Sequence, residues 1–265
     1  MNARTFYDLM KSTHESFTYI AGPCAVESED QVLSTAAFLS SLGIPILRGG
    51  AFKPRTSPDT FQGMGEAGLK LLARAREETG MLVVTEAMDV DHLELVSQYA
   101  DIIQIGSRNS QNFELLKRVG RIDKPVLLKR GFGNTLDEFV NSARYVSNEG
   151  NQRIILVERG IRTFEQSTRF TLDISAVPVL RERVGFPVIV DPSHPAGKAR
   201  YVKPLSMAAT AAGASGLMIE VHPEPSKAKS DSEQQLNFKQ FEELKNEVDV
   251  ILNATGRTIL RFQEA

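Results

Sequence analysis

The chain has 265 residues, a hydrophobic fraction of 42% and a formal net charge of -2. That length fills one large domain or two small ones, and the near-neutral charge gives no global attraction to nucleic acid or to an anionic membrane. Cys24 is the only cysteine, which rules out an intrachain disulfide, and with no leader-like opening and no apolar run of spanning length the sequence predicts a soluble cytoplasmic protein.

Residues 1–15 are polar, carry no strong pattern and read as a short lead-in covering the base of the domain. A rhythm of strands and helices then begins. A strand over 18–21 ends at Gly22-Pro23-Cys24. Ser28 and Gln31 have capping-box spacing before a helix that runs to Leu42 and stops at Gly43. The apolar run 44–47 is a second strand. It delivers the chain into a basic loop with a double glycine, from Arg48-Gly49-Gly50 through Lys53-Pro54-Arg55-Thr56-Ser57 to Pro58. Three cations, two hydroxyls and a backbone open to close approach suit phosphate or carboxylate. A solvated basic turn is the plainer alternative, but it needs neither the glycine pair nor the prolines on either side.

Further along, a helix over 66–79 ends at Gly80, and a strand over 81–86 precedes a helix from the Asp89 cap to Tyr99. Strands follow over 101–106, 126–131, 154–160, 187–191 and 216–221. Helices lie between and after them, near 112–119, 135–149, 176–184, 204–212 and 237–253. The strands are short and apolar without alternation, as expected of a parallel sheet buried on both faces. Eight strand–helix units in this length predict an α/β fold, a single (β/α)8 TIM barrel with a short N-terminal extension. The runner-up is a doubly wound open sheet. It needs fewer strands and usually a glycine fingerprint after the first, and no GxGxxG is read in this chain. The barrel occupies residues 1–265 as one catalytic domain. Neither end is long enough for a separate regulatory domain, so no built-in feedback control is expected.

In such barrels the active site lies at the carboxyl ends of the strands. In chain order those ends carry Cys24, Arg48 with Lys53 and Arg55, Glu86, and Gln104 with Arg108 and Asn109. Lys129 with Arg130, Glu158 with Arg159, Asp191 with His194, and Glu220 complete the set. A purely structural barrel would scatter these groups over both rims. The cations outnumber what one phosphate requires, so two phosphorylated or carboxylated substrates fit better. For any single cation the alternative is an ion pair with Glu86 or Glu158. Cys24, His194 and Glu220 end the first, seventh and eighth strands, which are neighbours in a closed barrel. Asp231 follows in the polar loop 223–235. Thiolate, imidazole and two carboxylates make a site for a divalent transition metal. Taken singly, a lone cysteine is more often a small buried hydrophobe. His92 and His222 read as surface or loop residues, and His14 lies outside the pattern.

Together these motifs, Gly22-Pro23-Cys24 through Arg48-Gly49-Gly50, Gln104-Ile105-Gly106, Lys129-Arg130-Gly131, Glu158-Arg159-Gly160, Asp191-Pro192-Ser193-His194 and Glu220-Val221-His222, resemble 3-deoxy-D-arabino-heptulosonate 7-phosphate (DAHP) synthase. The form they resemble is the compact type I family related to 3-deoxy-D-manno-octulosonate 8-phosphate synthase. The resemblance runs from about Tyr19 to Leu236. It implies condensation of phosphoenolpyruvate with erythrose 4-phosphate and water, the entry step of the shikimate pathway and so of aromatic amino-acid biosynthesis. It also implies a divalent metal ion (manganese, zinc, cobalt or iron) held by Cys24, His194, Glu220 and Asp231, and a homo-oligomer, dimer or tetramer. Arg48, Lys53, Lys129 and Arg159 would bind phosphoenolpyruvate with help from Arg108. Arg55, Thr56 and Asn109 would hold the aldose phosphate, and Ser57, Gln104 and Ser107 would also bind substrate. Lys129 and Glu86 would handle protons, while Cys24 and His194 serve through the metal.

The sequence departs from the family pattern at three places. Asp59 stands where an aromatic residue is common, Asp231-Ser232-Glu233 where Asp-Gly is usual, and Ser107 where alanine is common. The octulosonate enzymes carry Ala-Asn between the lysine and arginine of the basic loop, where this chain has Pro54 alone. That shorter spacing favours erythrose 4-phosphate over arabinose 5-phosphate. Octulosonate synthase is therefore the alternative, and a non-catalytic phosphosugar-binding regulator a remote one.

Overall fold

Strand β1 (Ser16–Gly22) pairs in parallel with β2 (Ile46–Arg48) on one side and β8 (Gly216–Glu220) on the other, which closes the sheet into a barrel. Between them run β3 (Leu82–Glu86), β4 (Ile102–Ile105), β5 (Val126–Lys129), β6 (Ile154–Glu158) and β7 (Val188–Val190), each parallel to its neighbour. This computed structural model describes residues 2–12, 15–53, 57 and 59–261. The (β/α)8 barrel expected from the strand count is therefore present, with its strands buried almost throughout.

Helices α2 (Glu29–Ser41), α3 (Glu66–Thr79), α4 (Val90–Tyr99), α5 (Phe113–Gly120), α6 (Leu136–Asn148) and α7 (Ala176–Arg183) pack outside the strands. So do α9 (Ala199–Ala211) and α10 (Phe238–Ala254). Among the described residues no helix is long and apolar enough to cross a membrane. Local signals fix several ends. Thr135 and Glu138 form a full capping box, and Gly80 closes α3 in the left-handed region at φ 73°. The Ser28 box is half formed. Ser28 Oγ accepts the Gln31 N–H, but the Gln31 side chain takes the Glu27 N–H instead of that of Ser28.

The structure adds elements that local patterns did not give. The opening segment is a helix, α1 (Ala3–Ser12), whose buried Phe6, Tyr7 and Met10 plug the base of the barrel. A one-turn helix, α8 (Ser193–Ala196), follows β7, and β9 (Thr258–Ile259) adds to the first residues of β1. Helix α9 begins at Ala199, five residues before the start predicted at Pro204. Proline is favoured at a helix start, which suggested that boundary. Here it sits inside the helix, where it removes the bond it would have donated to the Arg200 carbonyl and its ring crowds that carbonyl. The expectation that the chain has no GxGxxG is overturned: Gly63, Gly65 and Gly68 have that spacing, but they follow the long loop after β2, not the first strand. They serve packing, since a Cβ at Gly68 would press on Ala51.

The barrel interior explains where the chemistry stands. Its filling is Ile20, Ile46, Leu82, Val84, Ile102, Leu127, Ile155, Val157, Ile189 and Met218, resting on the α1 plug. Strand side chains alternate with period two. Two residues past the last inward apolar group of β2 to β8 stand Arg48, Glu86, Gln104, Lys129, Arg159, Asp191 and Glu220. The top interior layer is thus polar wherever the next one down is apolar. Arg130 and Glu158 occupy the other phase. They are buried behind the wall, with Arg130 Nη1 2.8 Å from Glu158 Oε2 and 2.9 Å from Asp173 Oδ2. Both were expected at the catalytic rim. They form a structural ion pair instead.

Candidate active site

One cavity at the carboxyl end is lined by Arg48, Lys53, Glu86, Gln104, Ser107, Arg108, Lys129, Arg159, His194 and Asp231, together with Thr60, Phe132 and Arg169. Cys24 and Glu220 lie directly beneath it, fully buried. Arg48 Nη1 donates to Glu220 Oε1 at 2.6 Å and Lys129 Nζ to Asp191 Oδ2 at 2.6 Å. Lys53 Nζ reaches both the Cys24 carbonyl, at 3.1 Å, and its Sγ, at 3.0 Å. Gln104 Nε2 donates to Glu86 Oε2 at 2.9 Å. Gly106 makes that last arrangement possible, because a Cβ there would overlap the Glu86 carboxylate.

Other predicted site residues fall elsewhere. Ser57 bonds within its own loop, to Asp59 and Thr60. Asn109 ties loops together, donating to the Met88 carbonyl at 2.7 Å. Arg55 and Thr56 lie outside the described residues. His222, read as a surface or loop residue, is buried. Its Nδ1 accepts the Glu224 N–H at 2.9 Å. His92 is half-buried at the α4 start, against Asp89 and the Phe52 ring.

Burial sets the electrostatics. It pulls the Lys129 ammonium below its usual value although Asp191 opposes this. It also lowers His194, and drops the Arg159 guanidinium to about 10. It would raise Asp191, but His194 and Lys129 hold that carboxyl well below the usual range. The Cys24 thiol is pushed up to about 12, by burial first and then by Glu220.

The donor set fits a divalent metal. Cys24, Glu220 and Asp231 each offer an atom within 4.8 Å of the others, with Cys24 Sγ 3.1 Å from Asp231 Oδ2. His194 borders this trio, its Nε2 3.5 Å from Glu220 Oε1. The His194 Nδ1 lies 2.6 Å from Asp191 Oδ2, so the carboxylate orients the ring and leaves Nε2 facing the trio. Asp231 has φ 50°, the one positive value among described non-glycine residues. Aspartate tolerates this region better than most residues, and strained backbone of this kind concentrates at functional sites.

Sequence reasoning missed the groups that hold these ligands. Gln234 Nε2 donates to Glu220 Oε2 at 2.6 Å, and Arg169 Nη1 contacts Asp231 Oδ1 at 3.1 Å and Gln234 Oε1 at 3.0 Å. Both sit in irregular loops without periodicity, so no local signal marked them. Gln234→Leu is expected to weaken divalent-metal binding roughly 10- to 100-fold while the fold survives. Titration with cobalt or zinc checks this, and unchanged affinity would show that Glu220 needs no orienting partner.

A closed α/β barrel with cations and a thiol–carboxylate cluster opening on one cavity defines a (β/α)8-barrel enzyme site for anionic substrates. The chain belongs to the DAHP synthetase I family, whose model matches residues 3–254. It is 58% identical over 240 residues to phospho-2-dehydro-3-deoxyheptonate aldolase of Thermotoga maritima, spanning 91% of this chain and 71% of that protein. A crystal structure of the Thermotoga maritima aldolase, also called DAHP synthase, aligns with a TM-score of 0.90 at 55% identity. It covers 93% of this chain and 72% of that one. A truncated form of 3-deoxy-D-arabino-heptulosonate 7-phosphate synthase from the same organism gives 0.87 at 53% identity, covering 93% and 90%. A 2-dehydro-3-deoxyphosphooctonate aldolase of Syntrophotalea carbinolica is 33% identical over 250 residues, 88% of this chain and 89% of its own.

Proposed function

We propose that this enzyme joins phosphoenolpyruvate to erythrose 4-phosphate with water, giving DAHP and inorganic phosphate. The observation that carries the reading is the convergence of Arg48, Arg108, Lys129 and Arg159 on one cavity above Cys24, Glu220 and Asp231, in a chain so similar to a heptonate aldolase.

Two anions must be brought together against their mutual repulsion, so much of the catalysis is orientation. Arg159, Arg108, Lys129 and Arg48 face the part of the cavity that suits the phosphate and carboxylate of phosphoenolpyruvate. The aldose phosphate is assigned to Arg55 and Thr56 of the basic loop. A divalent ion held by Cys24, His194, Glu220 and Asp231 would supply Lewis acidity to the aldehyde oxygen. The methylene carbon of phosphoenolpyruvate forms the new bond to the aldehyde carbon. Water adds to the enol carbon and loses a proton, and the resulting hemiketal phosphate expels inorganic phosphate. Lys129, buried and with its proton loosened, is placed to give a proton to the developing alkoxide. Glu86, held by Gln104, is placed to take one from water.

The test is phosphate release from phosphoenolpyruvate with each aldose in turn. Catalytic efficiency with erythrose 4-phosphate should exceed that with arabinose 5-phosphate by roughly ten- to a hundredfold, the worth of one charge-assisted bond lost by a longer substrate. Equal or better use of arabinose 5-phosphate would move the chain to the octulosonate reaction. Absence of turnover with either would leave a binding protein.

A further inference from the structure

Arg159 differs from the other buried cations at the cavity. Arg48, Lys53 and Lys129 spend donors on Glu220, Cys24 and Asp191. Arg159 is 3% exposed, yet among the described residues it donates only to its neighbour's carbonyl, Gly160 O, at 3.3 Å. Its remaining donors face the cavity unspent. A buried guanidinium without a carboxylate partner needs something else to hold it in place.

Two aromatic rings supply this. Phe132 and Phe170 stack at 5.2 Å between centroids with 6° between planes. The Arg159 Cζ lies 4.9 Å from the first centroid and 4.2 Å from the second. The same rings serve other cations. Arg108 and Arg162 lie 5.6 and 5.3 Å from Phe132, and Arg169 lies 5.9 Å from Phe170. Four guanidinium groups that repel one another therefore share two electron-rich ring faces. Backbone bonds fix the rings. The Phe132 carbonyl accepts the Arg162 N–H at 2.7 Å, and the Phe170 N–H donates to Pro195 O at 3.1 Å. Gly160, at φ 87°, leaves the room that Phe170 fills, since a Cβ there would press on the Phe170 Cβ.

We propose that Phe132 and Phe170 are positioning residues, a paired-ring platform that holds Arg159 ready for an anionic group of phosphoenolpyruvate. The inference rests on the functional reading above and adds the specificity device of that subsite. A carboxylate partner would have held Arg159 equally well, but it would compete with the substrate. A ring face does not, because it attracts the cation without occupying its hydrogen-bond donors.

The experiment measures phosphoenolpyruvate binding by calorimetry and steady-state constants for F132L, F170L, F132Y and F170Y in the full chain. Each leucine variant should raise the Kd and KM for phosphoenolpyruvate roughly 3- to 30-fold, the range of a cation over a ring. The KM for the aldose should stay within about twofold and kcat should fall less than the phosphoenolpyruvate KM rises. The tyrosine variants, which keep the ring, should return phosphoenolpyruvate affinity to within about twofold of wild type. Leucine variants with wild-type affinity would overturn the proposal. So would tyrosine variants as weak as the leucine ones, because shape alone would then matter. If a leucine variant melts early, the tyrosine variant at that position still decides, since lost affinity there in a folded protein refutes a ring-face role. A wild-type enzyme that binds no phosphoenolpyruvate would fail the functional reading itself. Wild-type binding with unaffected leucine variants would fail only the platform.

Discussion

Enzyme carrying Lys129→Met should lose about a thousandfold in kcat, within the 10²–10⁴ range of a positioned proton donor, and should melt earlier. Lys129 Nζ and Asp191 Oδ2 meet at 2.6 Å with side chains 5% and 0% exposed. Removing the ammonium leaves a buried carboxylate whose remaining hydrogen-bond partner among the described residues is His194, with its ring at 2.6 Å. Breaking a pair of this kind costs about 3–5 kcal/mol, which for a domain of this size lowers Tm by about 6–20 °C. The double variant Lys129→Met/Asp191→Asn separates the two effects. It should recover much of the lost stability and none of the lost turnover. Phosphate release and thermal unfolding measured side by side check this. Turnover of Lys129→Met within tenfold of wild type would remove Lys129 from the proton path.

Removal of metal is expected to be as severe. Rigorous chelation should bring turnover close to background, and manganese, cobalt or zinc should restore it to differing degrees. Cys24→Ser should bind these ions at least about a hundredfold more weakly, since a direct ligand is worth no less than the partners behind it. Cys24 is fully buried between Lys53, Ser230 and Asp231, at 3.0, 3.3 and 3.1 Å from its sulfur. A serine hydroxyl fits that space, so the fold should hold while the soft ligand is lost. Loss of the thiolate charge-transfer band of the cobalt form gives a readout independent of activity. Full turnover by a metal-free sample would end the metal assignment.

Much of this was legible beforehand because the barrel is built from local units. Apolar runs of four to six residues, capping residues such as Asp89 and Thr135, and stop glycines such as Gly80 gave the elements in order. What they did not give was phase. Strands buried on both faces show no alternation, so Arg130 and Lys129, or Glu158 and Arg159, look alike along the chain. Only the filled interior, with Leu127 below Lys129 and Val157 below Arg159, decides which of each pair lines the cavity. The opening helix was missed because its apolar residues are few. Phe6, Tyr7 and Met10 recur at helical spacing within a short polar stretch, and their burial depends on a barrel base that only the assembled sheet provides.

The sequence by itself determined the barrel, the rim where the charged residues gather and the residue types of a candidate metal and anion site. These depend on short-range periodicity and on strand ends that the barrel topology brings to one rim. The tertiary structure alone decided how those residues are held. Arg169 reaches Asp231 across 62 positions of sequence, Phe132 stacks on Phe170 from another loop, and Gln234 orients Glu220 from an irregular segment. Such contacts join loops whose conformations have no period. They are fixed by the packing of the whole barrel beneath them.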